Sequence, residues 1–140
     1  MAGREWTIAA FLLWNSLKDL RSRTISIISI VGFGIAGILW AFAAGDINWI
    51  KLLAGLVPGL VLLGISLLSP QAVGCGDGLA LLVVGIYCGF SQALASLFWG
   101  LLFSAASGII LLITKKGKKE TEIPFIPFLM IGFLLQKFWN

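Results

Sequence analysis

Two aspartates, Asp19 and Asp77, stand at the edges of long uncharged stretches in a chain that is otherwise poor in charge. Asp19 opens the run Asp19-Leu20-Arg21-Ser22-Arg23, and Asp77 closes Gly74-Cys75-Gly76-Asp77. A carboxylate at the edge of an apolar phase is costly, by an amount that differs between scales, and such a residue is a functional candidate by default. Brought together, two carboxylates can hydrolyse a peptide bond. One, ionised, accepts a proton from water while the other, protonated, donates to the scissile carbonyl. Neighbouring like charges resist ionising together, which holds the pair in that mixed state, and a low local dielectric strengthens the effect. Such a pair titrates as a unit, so the sequence assigns neither aspartate an individual role.

Gly74, Gly76 and Gly78 bracket Asp77. Without side chains there, the backbone is free to adopt positive φ, and a substrate strand or a neighbouring helix can come close. Plainer readings stay open: Asp77 as the N-cap of a helix, and Asp19 in a local ion pair with Lys18 or Arg21.

The elements that must position these residues follow from composition. Of 140 residues, 59% are hydrophobic and 11% charged, with a mean hydropathy of +1.04. Soluble domains carry about 25% charged residues, so the chain is expected to be an integral membrane protein with a single domain, residues 1–140. The net charge of +4 is spread over short loops and does not point to nucleic acid. There is no His, and Cys75 and Cys88 lack metal-ligand spacing, so no metal or cofactor is expected.

Charge-free runs cover residues 6–17, 24–45, 52–76, 78–114 and 123–136. About 20 apolar residues cross the ~30 Å of a bilayer's hydrocarbon. The fourth run would reach ~55 Å as one helix, so it is read as two, with a turn near Gly89-Phe90-Ser91-Gln92. The expected fold is an all-α polytopic bundle of six transmembrane helices, the first continuing past a snorkelling Lys18. A signal peptide over residues 1–17 is disfavoured by Glu5 and by the lack of a small-residue cleavage site.

Six spans gather Lys18, Arg21, Arg23, Lys115, Lys116, Lys118 and Lys119 on one side, leaving Arg4, Lys51 and Lys137 on the other. By the positive-inside rule the first side is cytoplasmic. Asp19 and Asp77 then share the cytoplasmic face and Asp46 lies across the membrane from them. The Lys115–Lys119 cluster is suited to anionic lipid, and Arg21, Arg23, Glu120 and Glu122 are candidates for contact with substrate or lipid. Gly85 and Gly89 form a GxxxG pattern that lets helices approach closely, within the chain or between copies, which leaves a homo-oligomer open. Pro58 is expected to kink the third helix, and Pro124 and Pro127 to delay the sixth.

Three stretches together resemble the prepilin peptidases, the GxGD membrane aspartic proteases that process type IV pilin-like precursors. Asp19-Leu20-Arg21-Ser22-Arg23-Thr24-Ile25 is similar to the first catalytic segment of that family, Gly74-Cys75-Gly76-Asp77 to its GxGD segment, and Ile123-Pro124-Phe125-Ile126-Pro127-Phe128-Leu129 to the opening of its last helix. The resemblance covers essentially the whole chain. It implies Asp19 and Asp77 as the catalytic pair of an aspartic endopeptidase in the inner membrane. Cleavage is implied at the cytoplasmic face, after a Gly that ends a short basic leader, in a type IV pilus or protein secretion system. Two departures bear on substrate positioning and rate: Ser26 follows Ile25 where the family often has Pro-Asn, and Leu79 stands where it often has Lys. The insertion that carries methyltransferase activity in larger members is absent, so the resemblance is to a minimal, peptidase-only form. Two other readings stand beside it: a catalytically inactive relative, and a non-enzymatic six-helix protein serving transport or assembly.

Overall fold

The computed structural model describes residues 2–22, 26–45, 48–69, 74–114 and 123–139. They form six helices, and no strand occurs among the described residues: α1 (Ala2–Ser22), α2 (Ile27–Ala43), α3 (Trp49–Leu68), α4 (Cys75–Cys88), α5 (Phe90–Ile113) and α6 (Ile126–Trp139). Six helices were expected and six are found. The expectation of six spans is met only in part. α3 and α5 are long and apolar enough to cross a membrane, whereas α2, α4 and α6 are apolar but shorter, and α1 carries Arg4, Glu5, Lys18, Asp19 and Arg21.

Local chemistry sets the helix boundaries. The side chains of Ser26 and Asn48 cap α2 and α3 by accepting from the Ser29 and Lys51 amides, each satisfying a donor that the first turn cannot pair internally. The long fourth run breaks at a single residue, Gly89, whose φ of 81° suits a residue without a β-carbon. α4 ends just before it and α5 starts just after it, so the turn expected over residues 89–92 is narrower than foreseen. Pro58 is buried inside α3, which runs through it unbroken. α6 opens at Ile126, between Pro124 and Pro127.

α4 is the central helix. Gly78, Ala80, Leu81, Val83, Val84, Gly85 and Tyr87 are all buried, and the helix packs most extensively on α3 and also meets α2, α5 and α1. The α3–α4 crossing is close because glycines face it. A β-carbon on Gly85 would run into the backbone carbonyl of Gly55, one on Gly59 would meet Leu82, and one on Gly78 would meet Leu63. The expected Gly85–Gly89 pattern serves this approach: a β-carbon on Gly55 of α3 would meet the Gly85 carbonyl and, at 3.2 Å, the α-carbon of Gly89, which also ends α4. α5 and α6 meet in the same manner, with Gly132 against the Ser96 carbonyl and Gly100 against Leu129.

α1 buries one stripe, Ile8, Phe11, Leu12, Asn15, Ser16 and Asp19, at the three- and four-residue spacing of a single helical face. That face lies against α6 and α4. Substituting Gly85 with Ala should lower the melting temperature of the detergent-solubilised protein, by the equivalent of about 1–3 kcal/mol. Gly34→Ala, where a β-carbon meets nothing within 4 Å, should leave it unchanged.

Candidate active site

Asp19 reaches the interior as the last member of the α1 stripe and is only 7% exposed. Lys18 and Arg21 on either side of it are exposed, and among the described residues the ion pair is between Lys137 and Glu5. The local ion pair considered for Asp19 does not form there. Its partner comes from the other end of the chain: the backbone amide of Ile126 donates to Asp19 Oδ2 over 3.4 Å. The reason lies in the first turn of α6. Pro127 has no N–H, and the amides of Phe128 and Leu129 both donate to the Phe125 carbonyl, each over 3.0 Å. The Ile126 amide is left without a helical acceptor and finds the carboxylate.

Asp77 does not cap α4. The N-cap is Gly74, with φ −70° and ψ 135°, which places Asp77 at the third helical position. The positive φ foreseen as a use for the glycines here is not taken up at Gly74, an ordinary extended residue. The Asp77 amide donates to the Gly74 carbonyl over 3.1 Å, and its carboxylate reaches back to the Gly74 amide, the reciprocal half of a capping box. A β-carbon on Gly74 would stand 3.3 Å from Asp77 Oδ2, so the missing side chain leaves the carboxylate room. Gly78 faces α3, and its small size serves the helix crossing. Gly76 is half-buried.

α1 packs on α4, and Asp19 is near enough for its charge to act on Asp77. Both stand outside the charge-free runs, Asp19 two residues beyond Leu17 and Asp77 directly before Gly78. Burial pushes the Asp77 carboxyl up to about 7, with the charge of Asp19 adding to the rise and the Gly74 amide opposing it. Burial also raises Asp19, against the lowering effect of the Ile126 amide. With Asp77 raised in this way, one of the two carboxylates can stay protonated near neutral pH while the other is ionised. Asp77 therefore meets the requirement of two-carboxylate hydrolysis for a group still protonated where its neighbour is ionised.

Two buried polar residues went unnoticed in the sequence. Asn15, fully buried one turn before Asp19, donates to the Phe11 carbonyl over 2.9 Å and accepts from the Ser29 hydroxyl over 3.5 Å, which ties α1 to α2. Its four-residue spacing from Asp19 was the available signal. Ser66 is fully buried and donates to the exposed thiol of Cys75 over 3.1 Å, so Cys75 does not fill interior space as a buried thiol would. Arg21 is exposed at the end of α1. Arg23, Asp46, Glu120, Glu122 and the Lys115–Lys119 cluster lie outside the described residues. An open cleft of about 250 Å³ lined by Glu5, Gln92, Phe133, Gln136 and Lys137 is remote from the carboxylates, because Glu5 precedes Asp19 by almost four turns, ~21 Å along α1.

The electrostatics carry a stability signature. Unfolded, Asp77 releases its proton near 3.8; folded, it does so at about 7. Stability therefore falls as pH rises through that window and is flat above it, because the folded state holds the extra proton. The loss amounts to at most ~4 kcal/mol. Asp77→Asn removes it, so the variant should melt above the wild type at pH 8, with the two curves converging below pH 4. A gap that does not vary with pH would refute the burial of this carboxylate. Comparison with family models, with curated proteins and with solved structures finds no match for the chain.

Proposed function

We propose that the chain is a membrane aspartic endopeptidase of the prepilin peptidase type, with Asp19 and Asp77 as its catalytic pair. The observation that supports the reading is a pair of carboxylates on separate helices, one buried and the other raised to about 7 with its neighbour's charge contributing. Neither does only what a surface aspartate does, since no described cation neutralises the pair.

In this reading the spanning segments are the charge-free runs, so the carboxylates stand at the cytoplasmic boundary of the inner membrane. Two observations support a lipid surrounding. α3 and α5 have the length and hydropathy of membrane spans, and large apolar side chains such as Ile28, Ile50, Leu68 and Ile113 are more than 70% exposed, which suits hydrocarbon better than water. The substrate is a prepilin-like precursor whose apolar helix lies in the bilayer and whose basic leader lies in the cytoplasm. The bond to be cut must be extended at the site, because a helical backbone keeps its carbonyls hydrogen-bonded. Water held between the carboxylates attacks that carbonyl, and the chemistry needs neither metal nor cofactor. Arg21, Arg23, Glu120 and Glu122 are available for contact with leader or lipid.

One set of observations favours a second reading, a catalytically inactive scaffold. Each carboxylate accepts from a helix-end amide, Ile126 for Asp19 and Gly74 for Asp77, and a purely structural aspartate would do the same. Co-expression with a tagged prepilin-like precursor, read as the precursor's N-terminus by mass spectrometry, separates the two. Protease function requires trimming after the leader's last Gly, reduced at least ~1,000-fold in both Asp19→Asn and Asp77→Asn, on the scale of losing an essential catalytic group. Cleavage that survives either substitution would end the dyad. A precursor left whole by the wild-type chain, yet cut by an authentic prepilin peptidase, would favour the scaffold.

A further inference from the structure

Two polar contacts join the first and last helices, and they stand at opposite ends of them. The Ile126 amide meets Asp19 at one end, and Lys137 pairs with Glu5 at the other. The contacts are ~21 Å apart along α1 and ~16 Å along α6 at the rise of a helix, so the two helices run antiparallel. This inference rests on the membrane placement of the reading above and not on its chemistry. In that placement the Glu5 end lies at the membrane face opposite the carboxylates.

The open cleft of about 250 Å³ is at that end, lined by Glu5, Gln92, Phe133, Gln136 and Lys137. It offers a carboxylate, an ammonium, two amides and a ring wall, and these groups are held in place. The Lys137 ammonium lies 5.4 Å from the centre of the Trp6 ring, within cation–π range. The fully buried hydroxyl of Ser96 is 2.7 Å from the Gln92 carbonyl and 3.3 Å from the side-chain oxygen of Gln136. One end of the Gln136 amide is thereby taken, and the other is left to the cleft it lines. Glu5 and Lys137 satisfy each other yet stay reachable, with side chains 34% and 43% exposed. So exposed a pair contributes little by itself, and admitting an opposite charge beside each partner costs little.

We propose that this cleft binds the headgroup of a zwitterionic phospholipid with a primary ammonium, a phosphoethanolamine group, from the leaflet on that face. The phosphate meets Lys137 and the open end of the Gln136 amide, and the ammonium donates to the Glu5 carboxylate. The cleft is smaller than the ~300–1,000 Å³ of sites that enclose a drug-sized molecule, which suits a headgroup whose tails remain outside. Trp6 and Phe138 are exposed beside it, and Trp side chains favour the headgroup level of a bilayer. Charge complementarity selects among headgroups. A glycerol headgroup would set its phosphate against Glu5 with no ammonium to offset the repulsion, and a choline headgroup has no N–H to donate. A bound lipid would clasp α1 to α6 at the far end of the seam that Asp19 and Ile126 close.

The test is native mass spectrometry of the full chain in micelles, offered phospholipids of matched tails with ethanolamine, choline or glycerol headgroups. One ethanolamine lipid should stay bound, preferred at least ~10-fold over the other two, on the scale of a charge-assisted hydrogen bond. Glu5→Gln should remove the preference, and Lys137→Gln should weaken retention of all three lipids. Lys51→Gln, at the exposed start of α3 and on the same membrane face in this placement, should change neither. Equal retention of the three lipids by the wild-type chain would overturn the proposal, as would a preference for the choline or glycerol headgroup. That comparison needs no variant, so it stands even where Glu5→Gln fails to fold.

Glycerophosphoethanolamine carries the same charges without tails and separates a lipid from a free zwitterion. It should leave the bound lipid in place at equal concentration; displacement would make the ligand a free zwitterion and overturn the lipid assignment. Lipid retention is read without a precursor. A chain that selects the ethanolamine lipid and cleaves nothing therefore counts against the protease reading alone, and a cleaving chain without that selection counts against this proposal alone.

Discussion

The architecture depends on enclosing α4. A helix apolar on every side has no face to offer water, and α4 is met by α1, α2, α3 and α5. Its 14 residues bring little length, so close approach supplies the contact. The facing glycines Gly55 and Gly85 bring the backbones of α3 and α4 together, where dispersion and close packing act over many small contacts. The first turn of this enclosed helix carries Asp77. A carboxylate placed there is desolvated by the same packing that holds the helix, so its perturbed ionisation is a by-product of the core.

The second carboxylate is held by different means. Asp19 ends a stripe that begins with Ile8 and passes through Phe11, Leu12 and Asn15, apolar where it meets the core and polar toward its end. That gradient allows a carboxylate to be 7% exposed with no cation paired to it among the described residues, because the Ile126 amide of α6 takes the place of water. Asn15 links the stripe to Ser29 of α2, and Tyr87 donates to the Phe33 carbonyl over 3.0 Å. These two contacts fasten α2 to both carboxylate-bearing helices.

Much of this was legible in the chain. Uninterrupted apolar runs mark helices whatever their partners, and Gly89 falls where one run is too long for a single helix. Run edges and charge bias led to the expectation of Asp19 and Asp77 on one side, and the packing of α1 on α4 puts Asp19 near enough to act on Asp77. Other features were hidden for physical reasons. Asp77 misses the N-cap because α4 starts at Cys75, and a boundary shift of a few residues is within what local signals leave open. The pairing of Gly85 with Gly55 depends on which helices cross, a tertiary outcome that a GxxxG spacing does not encode. The partner of Asp19 is a backbone amide, identical in every residue except proline, so no residue type announces it; only an accounting of the donors between Pro124 and Pro127 would have led there.

That partner lies 107 residues further along the chain, in the last helix. During synthesis α1 emerges well before Ile126, so while the intervening helices are being made Asp19 has no amide to receive its charge. Forming a contact of such long sequence separation comes late, after the loop between the partners has been closed. The surroundings of Asp19 are therefore completed only when the whole bundle has assembled, and an unfinished chain carries both aspartates without the arrangement that ties the first of them in place.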